Sequence, residues 1–394
     1  MKYWRGYLVA AILGAMTWAL TEFAKAHTEL VDMIYPYMTR LIQTFLADWS
    51  SAVPFCLWQV LLLALGMALL ATIVLMVILR WNPIQWFGWV LAAASVVALL
   101  HTGLYGLNYH AGPLADDIRL EMADVTISQR VNAATYYRDQ AIKLAEQVER
   151  SEDGSVKFDD FDTLAQQAAE GFRVLTYEDA ISVFAGSTVP VKQLGWSDAF
   201  TQRGITGITI ALTGEAAVNP DIPAISLPFT MCHEMSHRMS IVNERDANFA
   251  AFLACNANPS LEFQYSAYFM AFRYCYQDLA ADSSSAAKAA VAQLRSGMGE
   301  KLTQDMADYD AFWMTAQDPD KVQQADELND LYLTTSGDEE GVESYTNVTD
   351  LLVSWYVQEI VLPTYVEEED PFDPYDESQV DLITPGTEPT EPTE

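Results

Sequence analysis

Two stretches of this chain are so long and apolar that water cannot be their solvent. Residues 52–79 carry no charged side chain, and residues 84–107 carry only the titratable His101. Each exceeds the ~20 residues that cross about 30 Å of hydrocarbon, so both are predicted membrane spans. Arg80, Trp81, Asn82 and Pro83 leave room between them only for a tight hairpin, which predicts that the two spans are antiparallel neighbours. A third apolar stretch, residues 6–24, lies between Lys2 and Arg5 on one side and Lys25 on the other. It reads as a retained anchor or as a signal peptide cut near Ala24-Lys25-Ala26, and the charges of Glu22 and Lys25 favour the anchor.

The charge balance dictates what the remainder must be. The 394 residues hold 21 Lys+Arg against 54 Asp+Glu, a formal net charge of −33. Residues 1–110 contribute only 5 basic and 4 acidic side chains, leaving 16 basic and 50 acidic in residues 111–394. A nearly uncharged membrane region therefore precedes a strongly acidic soluble part. That surface repels phosphate, which excludes nucleic acid as a partner and leaves the lipid bilayer as the expected one. Lys2, Arg5 and Arg80 sit in very short segments on one side of the spans, the pattern of a cytoplasmic face. Residues 111–365 are then expected to form an extracytoplasmic domain of a multi-pass cell-membrane protein. Residues 29–49 repeat Met33, Tyr37, Leu41 and Phe45 at helical spacing and predict an amphipathic helix lying on the bilayer or on the spans. Residues 366–394 are Pro-rich, with acidic but no basic side chains, and are expected to be a disordered tail.

Within the soluble part the texture is mainly α with a small β element, an α+β domain. Helical stretches are predicted near 115–150, 160–172, 297–316 and 344–360. A longer helical region, 229–295, is broken near Asn243 and at Asn258-Pro259. Residues 204–212, rich in Gly and β-branched side chains, read as a strand. Cys56 falls in a span, and Cys232, Cys255 and Cys275 read as small buried hydrophobes.

Chemistry enters at His233-Glu234-Met235-Ser236-His237. Two of the chain's five His lie four residues apart, so both imidazoles occupy one helical face and can share a metal ion. Glu234, beside the first of them, suits a general base that takes a proton from water polarised by the metal. A catalytic zinc needs one more protein ligand and an open position. Glu244 follows His237 by seven residues and can supply it if the chain turns at Val242-Asn243; Asp246 is the competing ligand. Asn248, one turn after Glu244, is the expected acceptor for the second N–H of a ligand imidazole.

These residues carry a resemblance. The H-E-x-x-H sequence followed by Glu244-Arg245-Asp246-Ala247-Asn248-Phe249, preceded by Leu227-Pro228-Phe229-Thr230, resembles the DUF3810 family of bacterial membrane proteins. Three amino-terminal spans, Thr213-Gly214-Glu215-Ala216, Tyr265-Ser266-Ala267-Tyr268 and Asn329-Asp330-Leu331-Tyr332-Leu333 extend it, and Ser240 departs from it where the family usually has Gly. The motif is similar to that of gluzincin zinc metallopeptidases. The resemblance implies a membrane-anchored peptidase with Zn²⁺ on His233, His237 and Glu244, hydrolysing a peptide or protein substrate laid along an edge strand, here residues 204–212. Tyr265, Tyr268, Arg273 and Tyr345 are the candidate donors to an oxyanion, and Glu215 either contacts substrate or ends the strand. His101 and His110 read as structural. The rival reading is a non-catalytic membrane sensor or scaffold that keeps zinc as a structural clip.

Overall fold

The computed structural model describes residues 2–123, 125–337 and 348–363. Four long helices come first: α1 (Arg5–Ala26), α2 (Thr28–Ser50), α3 (Leu57–Ile78) and α4 (Pro83–Leu104). Of these, α1, α3 and α4 are long and apolar enough to cross a membrane. A 3₁₀ segment, Gly106–His110, leads into the mostly helical remainder: α5 (Leu114–Asp117), α6 (Ile127–Ala145) and α7 (Phe161–Tyr177). A three-stranded sheet follows, made of β1 (Lys192–Gln193), β2 (Gly207–Ile210) and β3 (Glu215–Val218), with α8 (Ser197–Thr201) between the first two strands. The last helices are α9 (Leu227–Arg238), α10 (Glu244–Ala257), α11 (Leu261–Ala281), α12 (Ser285–Ser296), α13 (Gly299–Ala316), α14 (Pro319–Ser336) and α15 (Val348–Tyr356).

The fold is the expected one, mainly helical with a small sheet, and the breaks at Asn243 and Asn258-Pro259 fall where expected. Asn243 caps α10 by accepting the backbone N–H groups of Arg245 and Asp246. Other boundaries shift. The stretch expected to be helical from 115 is instead a four-residue turn, a loop, and then α6, which starts at a capping box between Thr126 and Gln129. The strand shrinks to Gly207–Ile210, and Glu215–Val218 is the central strand, antiparallel to β2 and parallel to β1. The helix α14, begun by Asp318-Pro319, was not expected. Tyr345 and the tail from 366 lie outside the described residues.

The core is built around α9, in which every residue except His233 is buried. Its neighbours are α7, α10, α11 and the sheet. Helices α7 and α10 approach backbone to backbone, because a side chain on Gly171 would lie 1.8 Å from the Ala254 carbonyl oxygen. Two buried polar side chains of α9 find backbone partners: Ser236 donates to the Cys232 carbonyl, and Arg238 donates through Nη2 to those of Ser187 and Val189. All four cysteines are free and buried, and Cys56 precedes α3 instead of lying within it.

The apolar helices pack differently from a simple hairpin. Helix α4 lies on α1, where Gly6 and Ala10 meet Gly88 and Ala92 closely enough that a Cβ on Gly6 would be 2.4 Å from the Gly88 carbonyl carbon. Small residues permit such contact, and the Leu-rich α3 offers no matching surface there. Helix α2 is amphipathic as expected, but its buried side, which includes Val31 and Ala47, is mostly polar. Thr39, Arg40, Gln43 and Ser50 are buried, and Met33, Tyr37, Leu41 and Phe45 are exposed. The domain supplies the acceptors that allow this: Arg40 Nε donates to the Met239 carbonyl at 3.2 Å and Gln43 Nε2 to that of Ala211 at 3.0 Å.

Glu215 ties the sheet to α3. Its carboxylate accepts the backbone N–H groups of Leu57 and Trp58, at 2.7 and 2.9 Å, and pairs with Lys192 Nζ at 2.7 Å. It thus satisfies the orphan donors of a helix start, a role in holding the fold together. Glu215→Ala leaves Lys192 and those N–H groups without their acceptor. The expected cost is about 3 kcal/mol, near the low end for a broken buried pair because Lys192 keeps two carbonyl partners, Ser50 and Phe55. Thermal unfolding in detergent measures it, and an unchanged midpoint would reject this role.

Candidate metal centre

The last turn of α9 and the first residue of α10 face each other across a tight connection. Helix α9 ends at Arg238, and Ser240 takes a left-handed conformation with φ +72°, which reverses the chain. Gly adopts that conformation without steric cost, which is the physical reason a Gly suits the position. Here the serine is held by Thr39, whose hydroxyl donates to Ser240 Oγ at 2.9 Å. The reversal comes earlier than the turn expected at Val242-Asn243, and it presents Glu244 to the histidines.

Among the described residues, His233, His237 and Glu244 form the group able to hold a metal ion. His233 Nε2 lies 3.1 Å from His237 Nε2, and Glu244 Oε2 lies 3.2 and 3.4 Å from the two nitrogens. His237 Nδ1 is 2.8 Å from the Ile241 carbonyl, which accepts its N–H and so leaves the Nε2 lone pair facing the centre. Electrostatics favour positive charge there. Burial lowers the proton affinity of His237, yet the Glu244 carboxylate outweighs it and lifts the pKa to about 9. Burial likewise opposes ionisation of Glu244, but the two imidazoles hold its carboxyl far below the usual range. Two buried groups and one half-buried one that together attract a cation can do so for a proton or for a metal ion.

Glu234 lies against β2. Thr209 Oγ1 is 2.7 Å from Glu234 Oε2 and 2.9 Å from the Glu234 backbone carbonyl, and so can donate to either. At Gly207 a Cβ would stand 2.4 Å from Glu234 Oε1, so only glycine leaves the carboxylate its place. Burial raises the Glu234 carboxyl above its ordinary value, opposed by the two nearby histidines. Gly207 and Thr209, two apart on a strand, share one face, a period-2 signal that was readable in the sequence.

A cleft of about 870 Å³ opens over these groups. One wall is the segment from Arg203 to Leu212, including the edge strand β2; the others come from His101, Tyr105 and Tyr109 and from Asp326, Asn329 and Tyr332 on α14. The Tyr105 hydroxyl donates to the His237 carbonyl at 3.0 Å, and that of Tyr332 is 3.2 Å from His101 Nε2. Tyr105 and Tyr109 were not singled out from the sequence, and Gly207 and Thr209 entered only as part of the expected strand 204–212 and Tyr332 only as part of the Asn329–Leu333 motif, with no role assigned. The tyrosines come together from segments more than two hundred residues apart.

Several expected site residues lie elsewhere. Asp246 accepts the Leu114 backbone N–H at 2.8 Å and is not in the metal-binding group. Asn248 accepts the Tyr274 hydroxyl at 3.2 Å; of the two ligand imidazoles, either of which it was expected to orient, His237 bonds Ile241, and His233 Nδ1 has no hydrogen-bond partner among the described residues. Tyr265 is buried and donates to Asp305, which a bidentate pair joins to Arg150. Tyr268 packs edge-on to Tyr136 and Phe252, and Arg273 pairs with Asp310 and lies over the Tyr309 ring. None of these three residues is among those that line the cleft described above. His101 and His110 are outside the group that could hold a metal ion, and His101 lines the cleft.

A family described as a protein of unknown function, DUF3810, matches residues 31–353. This chain belongs to the DUF3810 family. The matched region starts within α2 and ends in α15, so it takes in α3, α4, the sheet, α9 and α10. The metal-binding group therefore lies inside the DUF3810 match. No curated protein and no solved structure matches the chain.

Proposed function

We propose that this DUF3810 protein is a membrane-embedded zinc peptidase of gluzincin type. The observation that carries the reading is the convergence of His233, His237 and Glu244 at 3.1–3.4 Å, with Glu234 at the edge of the same cleft. Donor atoms around tetrahedral zinc, with bonds of about 2.0–2.1 Å, are roughly 3.3 Å apart, so the triangle fits the ion and uses three of its four positions. Two imidazoles and a carboxylate are also a donor set that suits zinc. Bound zinc would supply Lewis-acid polarisation of a carbonyl and lower the pKa of water.

The chain's own groups perform the rest. A peptide laid along the free side of β2 gains backbone hydrogen bonds and is held extended across the cleft. Glu234, oriented by Thr209, takes the proton of the attacking water and returns it to the leaving amine. Tyr105 is committed to the His237 carbonyl, and we assign the role of donor to the developing oxyanion to Tyr332, whose hydroxyl would turn from His101 Nε2 to make that bond. In the cell, α1, α3 and α4 cross the bilayer, with Lys2, Arg5 and Arg80 cytoplasmic and the domain outside.

The test uses the full chain in nanodiscs with a random peptide library. Zinc-dependent cleavage that a chelator stops and added zinc restores is the expected result. A protein that retains stoichiometric metal and cleaves nothing would overturn the reading and make the site a structural clip.

A further inference from the structure

The two apolar helices nearest the cleft do not close on one another. Helices α3 and α4 are joined at one end by a short turn, and Trp86 Nε1 donates to Thr72 Oγ1 at 3.2 Å close to it. Thr72 and Met76 are half-buried there, whereas residues 61–70 of α3 are exposed on every side. At the other end each helix is fastened to a different part of the molecule. The first turn of α3 is held by Glu215 on β3, and the end of α4 by Tyr35, which donates to the Thr102 carbonyl at 2.9 Å, and by Tyr105 on α9. The pair is therefore a V whose open end meets the domain.

The cleft lies at that open end. Ile208 of β2 and Trp58 in the first turn of α3 both pack on the small cluster of Cys56, Leu194 and Ala217, while His101 and Tyr105 at the end of α4 line the cleft together with β2. The β2 side of the cleft is rich in apolar residues, with Ile205, Ile208, Ile210 and Leu212 in its lining. A gap between two membrane helices can admit only apolar matter or a segment whose backbone is already satisfied. A chain leaving the bilayer there exchanges its helical hydrogen bonds for those of an open strand edge, and β2 offers that edge.

We propose that the substrate is a polypeptide anchored in the same bilayer, whose juxtamembrane segment enters the cleft laterally between the domain-side halves of α3 and α4. This rests on the peptidase reading above and names its substrate class. A tether alone raises the local concentration of any substrate, so the route is isolated by varying its length. The full chain with zinc is reconstituted with one random peptide library in three forms: soluble, joined directly to a poly-leucine transmembrane helix, and joined to that helix through a Gly/Ser spacer of about 25 residues, which adds roughly 28 Å of mean reach. The expected result is cleavage of the directly joined form about tenfold or more faster than of both others. Equal rates for the direct and spaced forms, or a faster soluble form, would overturn the lateral route while leaving the peptidase reading standing. Cleavage of none of the three would overturn both.

Discussion

A Glu234→Gln variant is expected to keep its metal and lose peptide hydrolysis by about 10²–10⁴-fold, the contribution of a positioned general base. The amide keeps the shape of the side chain and can still accept the Thr209 hydroxyl, so packing against Gly207 and β2 should survive. It cannot take a proton from water. Because Glu234 is outside the group formed by His233, His237 and Glu244, metal content should stay near one per chain. The two measurements are turnover on a cleaved peptide and metal by elemental analysis of the same preparation. Unchanged turnover rejects Glu234 as the base. Loss of metal together with activity would mean that the carboxylate supports the centre instead of acting on water.

Removing the metal, or its third ligand, is expected to have the second largest effect. With metal at 1,000 times its dissociation constant, binding to the folded state alone contributes about 4 kcal/mol. Chelation should therefore lower the unfolding midpoint by roughly 8–16 °C for a domain of this size. Glu244→Ala should reproduce most of that shift and weaken metal binding by more than the roughly 100-fold that loss of an imidazole's hydrogen-bond partner costs. Asp246→Asn is the control. That carboxylate accepts the Leu114 N–H, so its loss should cost stability and leave the metal in place. Metal retained by the Glu244 variant and lost by the Asp246 variant would reverse the assignment of the third ligand.

Much of this centre could be read from the sequence because its logic is local. His233 and His237 share a helical face by periodicity, and seven residues suffice to bring Glu244 round once the chain reverses at Ser240. What misled was also local. Tyr265, Tyr268 and Arg273 lie on a helix close to the motif in sequence, but α11 turns those side chains into the core and toward α13, where Asp305 and Asp310 wait for them. Asn248 is one turn from Glu244, yet its carbonyl is taken by Tyr274. Polar residues near a motif in sequence have many ways to be satisfied, and chain order does not rank them.

Composition and periodicity determined by themselves that three helices are apolar enough to leave water, that the remainder is acidic and helical, and that two imidazoles and a carboxylate can converge. Each follows from properties that act within a few turns of the chain. The tertiary structure decided the rest: that α2 buries its polar face, that α4 chooses α1 over α3, that Glu215 caps a helix more than a hundred residues upstream, and that tyrosines from α14 and the end of α4 wall the cleft. Those outcomes depend on which distant surface supplies the matching shape or the missing hydrogen-bond partner, and only folding brings such surfaces together.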